Sequence, residues 1–393
     1  MTETAHLKWT YTLPSSDPNY AVESGGFVYV GSNDGLLYCL NATTGAQVWH
    51  YHTGGTATTR PYVVGSLVYV GANDGLLYCL NTGDGSFEWS YSTGGIDTGS
   101  VTVSGGFAYI PSSDHYLYCL HADTGVFEWS YNIGGHMSGR PTAYGSYIYI
   151  SSSTVPNTVK CLNASTGAFV WSYSIYSLGC GTPSGGFLYI GSTDGEVYCL
   201  NASTGAYQWK TTSGGSYWSD PLILNGYIYF QSNYDHISCV NASTGVWVWH
   251  AQFNGQFCTS SPTSANGVVI GTSNLATNNP NVRFYDPLTG SLLWEYEFGG
   301  AAYNPYGLGN FVYVPSDDGK VYCLSFAFTG LKVFYDYTYI LDTQAVGSPP
   351  AFRYRRGGVT YEVPLVYTDD PNASPLRIYI GGEDKALKYK SKF

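Results

Sequence analysis

Arg60, Arg140 and Asp220 each stand directly before a proline at one position of a repeated unit, where other units carry Thr182 or Ser261. In a chain with only 11% charged residues, three charges at one repeat position could converge on a polar ligand. Mutual pairing, or a wetted channel, is the plainer account of the same residues. The connecting segments nearby vary from unit to unit: Ile96-Asp97, His136-Met137, Ser216-Tyr217-Trp218 and Tyr303-Asn304 occupy equivalent places. Asp97, His136, Tyr217, Trp218, Tyr303 and Asn304 therefore join Arg60, Arg140 and Asp220 as candidate binding residues.

Other constellations carry less chemistry. His50 and His52 share one face of a strand as metal ligands might, but the matching residues elsewhere are Ser90 and Ser92, then Ser130 and Asn132, so that face reads as solvent. The eight histidines show no zinc spacing, and neither a phosphate-binding glycine loop nor a nucleophile elbow is present. Seven of nine cysteines, Cys39, Cys79, Cys119, Cys161, Cys199, Cys239 and Cys323, recur at one repeat position. Packed sheets sit about 10 Å apart, beyond the roughly 7 Å that a disulfide tolerates, so these read as small buried hydrophobes. Cys180 and Cys258 are expected to be free as well. Five sequons, at Asn41, Asn163, Asn201, Asn241 and Asn372, suggest glycosylation, yet four share a turn that favours Asn, Ser, Thr and Gly on its own account. No catalytic residue, metal site or cofactor is predicted.

The elements that must position the candidates follow from composition and repetition. The chain has 393 residues with 49 Gly and 39 Tyr, and its 44% hydrophobic content can bury a sizeable core. No apolar run approaches the length of a membrane span. Sixteen basic and 27 acidic residues argue against nucleic acid as a partner. Eight of the basic residues lie in 353–393 against five acids, so tail and body carry opposite charge. The start lacks a basic, apolar leader, which with unpaired thiols favours the cytoplasm; low charge and sequons leave secretion as the alternative.

Tryptophan recurs at Trp9, Trp49, Trp89, Trp129, Trp171, Trp209, Trp249 and Trp294, spaced by 38 to 45 residues. Each unit reads as four short antiparallel strands, A to D, with polar/apolar alternation between Gly, Asn and Asp turns. Such sheets are apolar on both faces and bury them by stacking around an axis, which predicts an all-β propeller. Second strands at 27, 67, 107, 147, 187, 226, 267, 311 and 376 count nine blades, with eight as the alternative. The lone strand at 7–12 is expected to complete the last blade by joining 376–390. The whole chain, 1–393, then forms one domain with an irregular insertion at 353–374.

The turn between strands C and D carries a signature: Asn41-Ala42-Thr43-Thr44-Gly45 through Trp49, Asn163 through Trp171, and Asp286-Pro287-Leu288-Thr289-Gly290 through Trp294. It resembles the tryptophan-docking repeat of PQQ-like propellers, a family holding both quinoprotein alcohol dehydrogenases and non-enzymatic assembly scaffolds. The resemblance implies that the eight tryptophans dock against neighbouring blades. It also implies what a quinoprotein would need: adjacent cysteines, a calcium site of acidic and amide side chains, a catalytic Asp and a Trp floor. No adjacent cysteine pair exists here.

The expected function is a non-enzymatic binding or protein-interaction scaffold that grips a protein or peptide through the face carrying the D–A and B–C connections. A PQQ-dependent dehydrogenase is the first alternative. A self-assembling structural protein is the second, held by the basic residues Arg353, Arg355, Arg356, Arg377, Lys385, Lys388, Lys390 and Lys392 against the acidic body.

Overall fold

The computed structural model describes residues 5–326 apart from 16–17, 57–58, 95–99, 138, 154–156, 177–178, 213–219, 233–235, 253–259 and 273–280; beyond them it describes only the strands Thr338–Ile340, Ala351–Arg356, Val359–Pro364, Arg377–Ile380 and Glu383–Ala386. Blade 1 is an antiparallel meander of Pro18–Ser24, Phe27–Ser32, Leu36–Asn41 and Gln47–His52. Blade 2 repeats it with Tyr62–Val64, Leu67–Gly71, Leu76–Asn81 and Phe87–Ser92. Blades 3 to 7 follow between residues 102 and 297. The A strands contact one another from blade to blade, which places them innermost.

Among the described residues eight blades are present, not nine, and the ring closes elsewhere than the sequence count suggests. Blade 8 consists of Tyr306–Leu308, Phe311–Ser316, Lys320–Phe326 and the N-terminal strand Ala5–Thr12. The reason is the register. Trp9 stands opposite Cys323, as Trp49 stands opposite Cys39 and Trp89 opposite Cys79. The Lys320–Phe326 strand carries the repeat cysteine, whereas 376–390 lacks it. The chain divides into two compact units, Met1–Phe328 and Thr329–Phe393. Within the second, Arg377–Ile380 and Glu383–Ala386 form a two-stranded ribbon, and three further strands form a sheet of their own. Of the residues proposed for self-association, Arg353, Arg355, Arg356, Arg377 and Lys385 fall on strands of this unit, and Lys388, Lys390 and Lys392 lie outside the described residues.

The middle strands of each blade are buried on both faces. In the Phe27–Ser32 strand, Val28 and Val30 enter the cluster shared with blade 8, while Tyr29 enters the one shared with blade 2. Tyr29, Leu37, Cys39 and Trp49 there meet Val68, Val70, Ala72, Tyr78 and Leu80. The repeat cysteines are part of this apolar mortar. Eight described cysteines are buried and free, and Cys258 lies outside the described residues. Burial pushes the thiols of Cys39, Cys79 and Cys323 up to about 12, which removes nucleophilic thiolate at neutral pH.

The tryptophan does three things at once. Trp49 Nε1 donates to Thr82 O of blade 2 at 3.0 Å, its ring lies 5.9 Å from Tyr29, and it packs on Gly85. Trp9, Trp89, Trp171 and Trp249 donate to Ala42, Ala122, Ala202 and Pro287 in the same manner. Trp129 and Trp209 pack on Gly167 and Gly245, although the buried Trp129 indole nitrogen has no hydrogen-bond partner among the described residues. Trp294 differs. Its neighbour, blade 8, has the N-terminal strand as its outer member, so no C–D hairpin follows; the ring lies 4.9 Å from Phe284 of its own blade.

The docking turn explains the sequons. Asn41 Oδ1 accepts from Thr43 N and Thr44 N at 3.0 and 2.9 Å, an Asx turn that recurs at Asn163, Asn201 and Asn241. Asn372 lies outside the described residues. Among the described residues no helix is long and apolar enough to cross a membrane.

Candidate functional site

Strand A is the edge strand nearest the axis, so a proline at its entrance forfeits no ladder bond and holds the preceding residue extended. Pro61, Pro141 and Pro221 stand there, directly before Tyr62–Val64, Thr142–Tyr144 and Leu222–Leu224. Hydrogen bonds between blades lock these entrances. Arg60 N donates to Ser100 Oγ at 2.9 Å, Thr182 Oγ1 to Pro221 O at 2.7 Å, Gly181 N to Asp220 Oδ1 at 3.1 Å, and Asn304 N to Ser260 Oγ at 3.1 Å. Thr102 Oγ1 also donates to Pro141 O.

Arg60, Arg140 and Asp220 come within electrostatic reach of one another across this ring. The Arg60 guanidinium faces the Tyr306 ring at 5.8 Å, and Arg140 faces Tyr62 at 5.6 Å. Burial, then the neighbouring Arg140 charge, hold Arg60 down to about 10. Burial also raises the Asp220 carboxyl, against the pull of Arg140, the Gly181 N–H and Arg60. All three residues are half-buried, which fits the wall of a central channel.

Register identifies members of the ring that the proline alignment missed. Thr182 pairs with Tyr189 as Tyr62 pairs with Tyr69, so Cys180, not Thr182, occupies the position of Arg60. The misalignment arises because Pro183 lies inside its strand, Thr182–Ser184, instead of before it. The even 40-residue step from Arg60 through Ser100, Arg140, Cys180 and Asp220 is the signal that could have found it. Cys180 is buried, with Ser151 Oγ 3.5 Å from its sulfur. Burial and then Asp220 push its thiol up to about 12, so it is no nucleophile. Tyr62 and Tyr306 are the other members that sequence reasoning passed over.

The remaining candidates separate from this ring. His136 meets His115 edge-on at 4.4 Å between ring centroids, and its carbonyl accepts from Ser153 N at 2.9 Å. His115 has φ 73° in a turn where the equivalent residues are Gly35 and Gly75. Tyr303 N donates to Pro315 O at 2.9 Å within its own blade, while Asn304 enters the ring through its backbone. Asp97, Tyr217 and Trp218 lie outside the described residues. His50 is exposed, with Nδ1 3.0 Å from Gln47 Nε2.

The repeated aspartates of the B–C turns are structural. Asp74 Oδ1 accepts from Leu76 N at 3.0 Å and its Oδ2 accepts from Tyr78 OH at 2.5 Å, a clasp that recurs at Asp34, Asp114, Asp194 and Asp318. These carboxylates are spent on closing turns.

A quinone with calcium fits this ring poorly. Among the described residues no group of three His, Cys, Asp or Glu side chains is placed to hold a metal. Asp220, the carboxylate at this ring position among the described residues, already accepts the Gly181 N–H and lies in the field of two guanidinium groups, which repel a divalent cation.

Comparisons with known proteins agree with the geometry at the level of fold. The family described as outer membrane protein assembly factor BamB matches residues 3–155, 92–174 and 155–304. Among proteins of curated function no relative matches. BamB from Moraxella catarrhalis is similar in structure at 17% identity, with a TM-score of 0.68 over 82% of this chain and 100% of that one. The quinohemoprotein alcohol dehydrogenase of Comamonas testosteroni is similar at 14% identity and a TM-score of 0.66, over 82% of this chain and 76% of that one. The computationally designed Ika8 protein is similar at 15% identity and a TM-score of 0.67, over 80% of this chain and 98% of that one.

Proposed function

Because the chain belongs to the PQQ-like propeller family described as outer membrane protein assembly factor BamB, we propose that it is a non-enzymatic binding scaffold that engages a protein or peptide partner at the inner ring and the connections around it. The observation that carries this reading is the meeting of Arg60, Arg140 and Asp220 around one channel, apart from the repeated aspartates that close the B–C turns. The frame supports it. One end of every blade repeats the same turn chemistry, and variation concentrates at the other. Fold alone does not decide function, and the dehydrogenase reading rests on likeness of fold.

The experiment pairs partner capture with cofactor reconstitution. The triple variant Arg60→Ala, Arg140→Ala, Asp220→Ala is expected to stay folded by circular dichroism and to lose the partner that the wild-type chain recovers in a pull-down. Unchanged recovery by the folded variant removes the ring from the interface. Mixing wild-type protein with pyrroloquinoline quinone and Ca²⁺ is expected to give neither stoichiometric quinone retention nor dye-linked alcohol oxidation. Turnover in that assay would install the dehydrogenase reading instead.

A further inference from the structure

The two arginines of the ring are unusual in what they lack. Among the described residues neither guanidinium forms an ion pair, and each instead lies over a tyrosine ring, Tyr306 for Arg60 and Tyr62 for Arg140. Packing a guanidinium against an aromatic face holds the group in place and leaves its N–H edges for another acceptor. Burial first, and then the neighbouring Arg140 charge, disfavour the charged form of Arg60, and among the described residues no carboxylate lies within ion-pair distance of either guanidinium to offset this. A fold that tolerates this arrangement gains from an anion that settles between them.

Charge and size narrow the anion. Among the described residues this ring position holds two guanidinium groups and one carboxylate, Asp220, a net single positive charge while Asp220 is ionised. Both arginines favour the charged form of Asp220, while its burial opposes that form more strongly. A second monovalent carboxylate balances the remaining charge, whereas a phosphate dianion overfills it. Resting on the scaffold reading above, we propose that Arg60 and Arg140, backed by Tyr306 and Tyr62, form a carboxylate-binding site in the channel, which receives the free carboxylate of a small monoacid or of a peptide end.

Asp220 competes with that ligand for the same two arginines. Asn at this position keeps an oxygen for the Gly181 N–H and loses the charge. Asp220→Asn is therefore expected to tighten binding, an effect that damage to the fold does not produce.

The test is calorimetric titration of the full chain at low ionic strength with four probes: butyrate, a short peptide with a free C-terminal carboxylate, the same peptide amidated, and inorganic phosphate. The expected result is saturable binding of one or both carboxylate probes and none of the amide, with phosphate weaker. Arg60→Gln and Arg140→Gln should each weaken binding by roughly tenfold or more, and Asp220→Asn should strengthen it. Butyrate binding alone assigns the site to small acids, and peptide binding alone assigns it to chain ends. Equal binding of amide and free peptide, preference for phosphate, or no gain in Asp220→Asn overturns the proposal. Where an arginine variant does not fold, the Asp220→Asn gain and the amide comparison decide. If no carboxylate binds yet the triple variant still loses its partner, this inference falls and the scaffold reading stands; if carboxylates bind and partner recovery is unchanged, the scaffold's use of this ring falls instead.

Discussion

Deletion of residues 1–12 is expected to open the ring and lower the urea midpoint by more than any single substitution. The N-terminal strand Ala5–Thr12 is the outer member of blade 8, so its loss bares the backbone edge of Lys320–Phe326. It also removes Trp9, whose ring packs on Gly45 and whose Nε1 donates to Ala42 O at 2.9 Å in blade 1. Two blades are thus damaged together. Trp9→Ala alone should cost about 3–5 kcal/mol, the usual range for a buried aromatic, and the deletion should exceed it. A synthetic peptide of residues 1–13 added in trans should restore part of the midpoint, because the vacated edge and the Gly45 platform survive. An unchanged midpoint in the deletion would mean that the closing strand carries no stability.

Gly85→Ala should destabilise the protein far more than Gly65→Ala, although both glycines have positive φ. Gly85 has φ +72° and Gly65 has φ +58°, so each substitution incurs a backbone cost of about 1–2 kcal/mol. Their surroundings differ. A Cβ at Gly65 meets nothing within 4 Å, whereas one at Gly85 lies 2.7 Å from Trp49 Cε3. Displacing a packed indole adds about 1–3 kcal/mol and loosens the bond from Trp49 to Thr82 O. Chemical denaturation of Gly65→Ala, Gly85→Ala, Trp49→Ala and the Gly85→Ala/Trp49→Ala pair resolves the two costs. In the pair, the alanine at 85 should cost no more than it does at 65, since the ring it strikes is gone. Additive losses in that cycle would show that the glycine is kept for φ alone.

These results bear on what could be read without coordinates. The Thr-Gly turn is legible as a turn, since Gly supplies the left-handed conformation. Its second role is not, because the Trp that needs the bare glycine belongs to the preceding blade, some 36 residues upstream from Gly85 to Trp49. Arg60, Arg140 and Asp220 could be singled out because charges are rare in this chain and shared a repeat position. Cys180 was hidden by a proline displaced relative to its strand, an irregularity that backbone pairing resolves and residue matching does not. The nine-blade count failed at 376–390, where Arg377–Ile380 pairs with Glu383–Ala386, while the N-terminal strand pairs with Lys320–Phe326.

By itself, then, the sequence determined the repeat, the four-stranded unit, the stacking of two-faced sheets and the residues held in common by the blades. All of these follow from local propensity and from burial, which a periodic pattern expresses in every copy. Only the tertiary structure decided the number of blades, the strand that closes the ring, the partner carbonyl and glycine of each tryptophan, and the meeting of Arg60, Arg140 and Asp220 around one axis. Closure depends on which free edge offers the matching Trp–Cys register, and convergence depends on the angle between successive blades. Both are properties of the assembled ring, set by packing between units far apart in the chain, and no single repeat contains them.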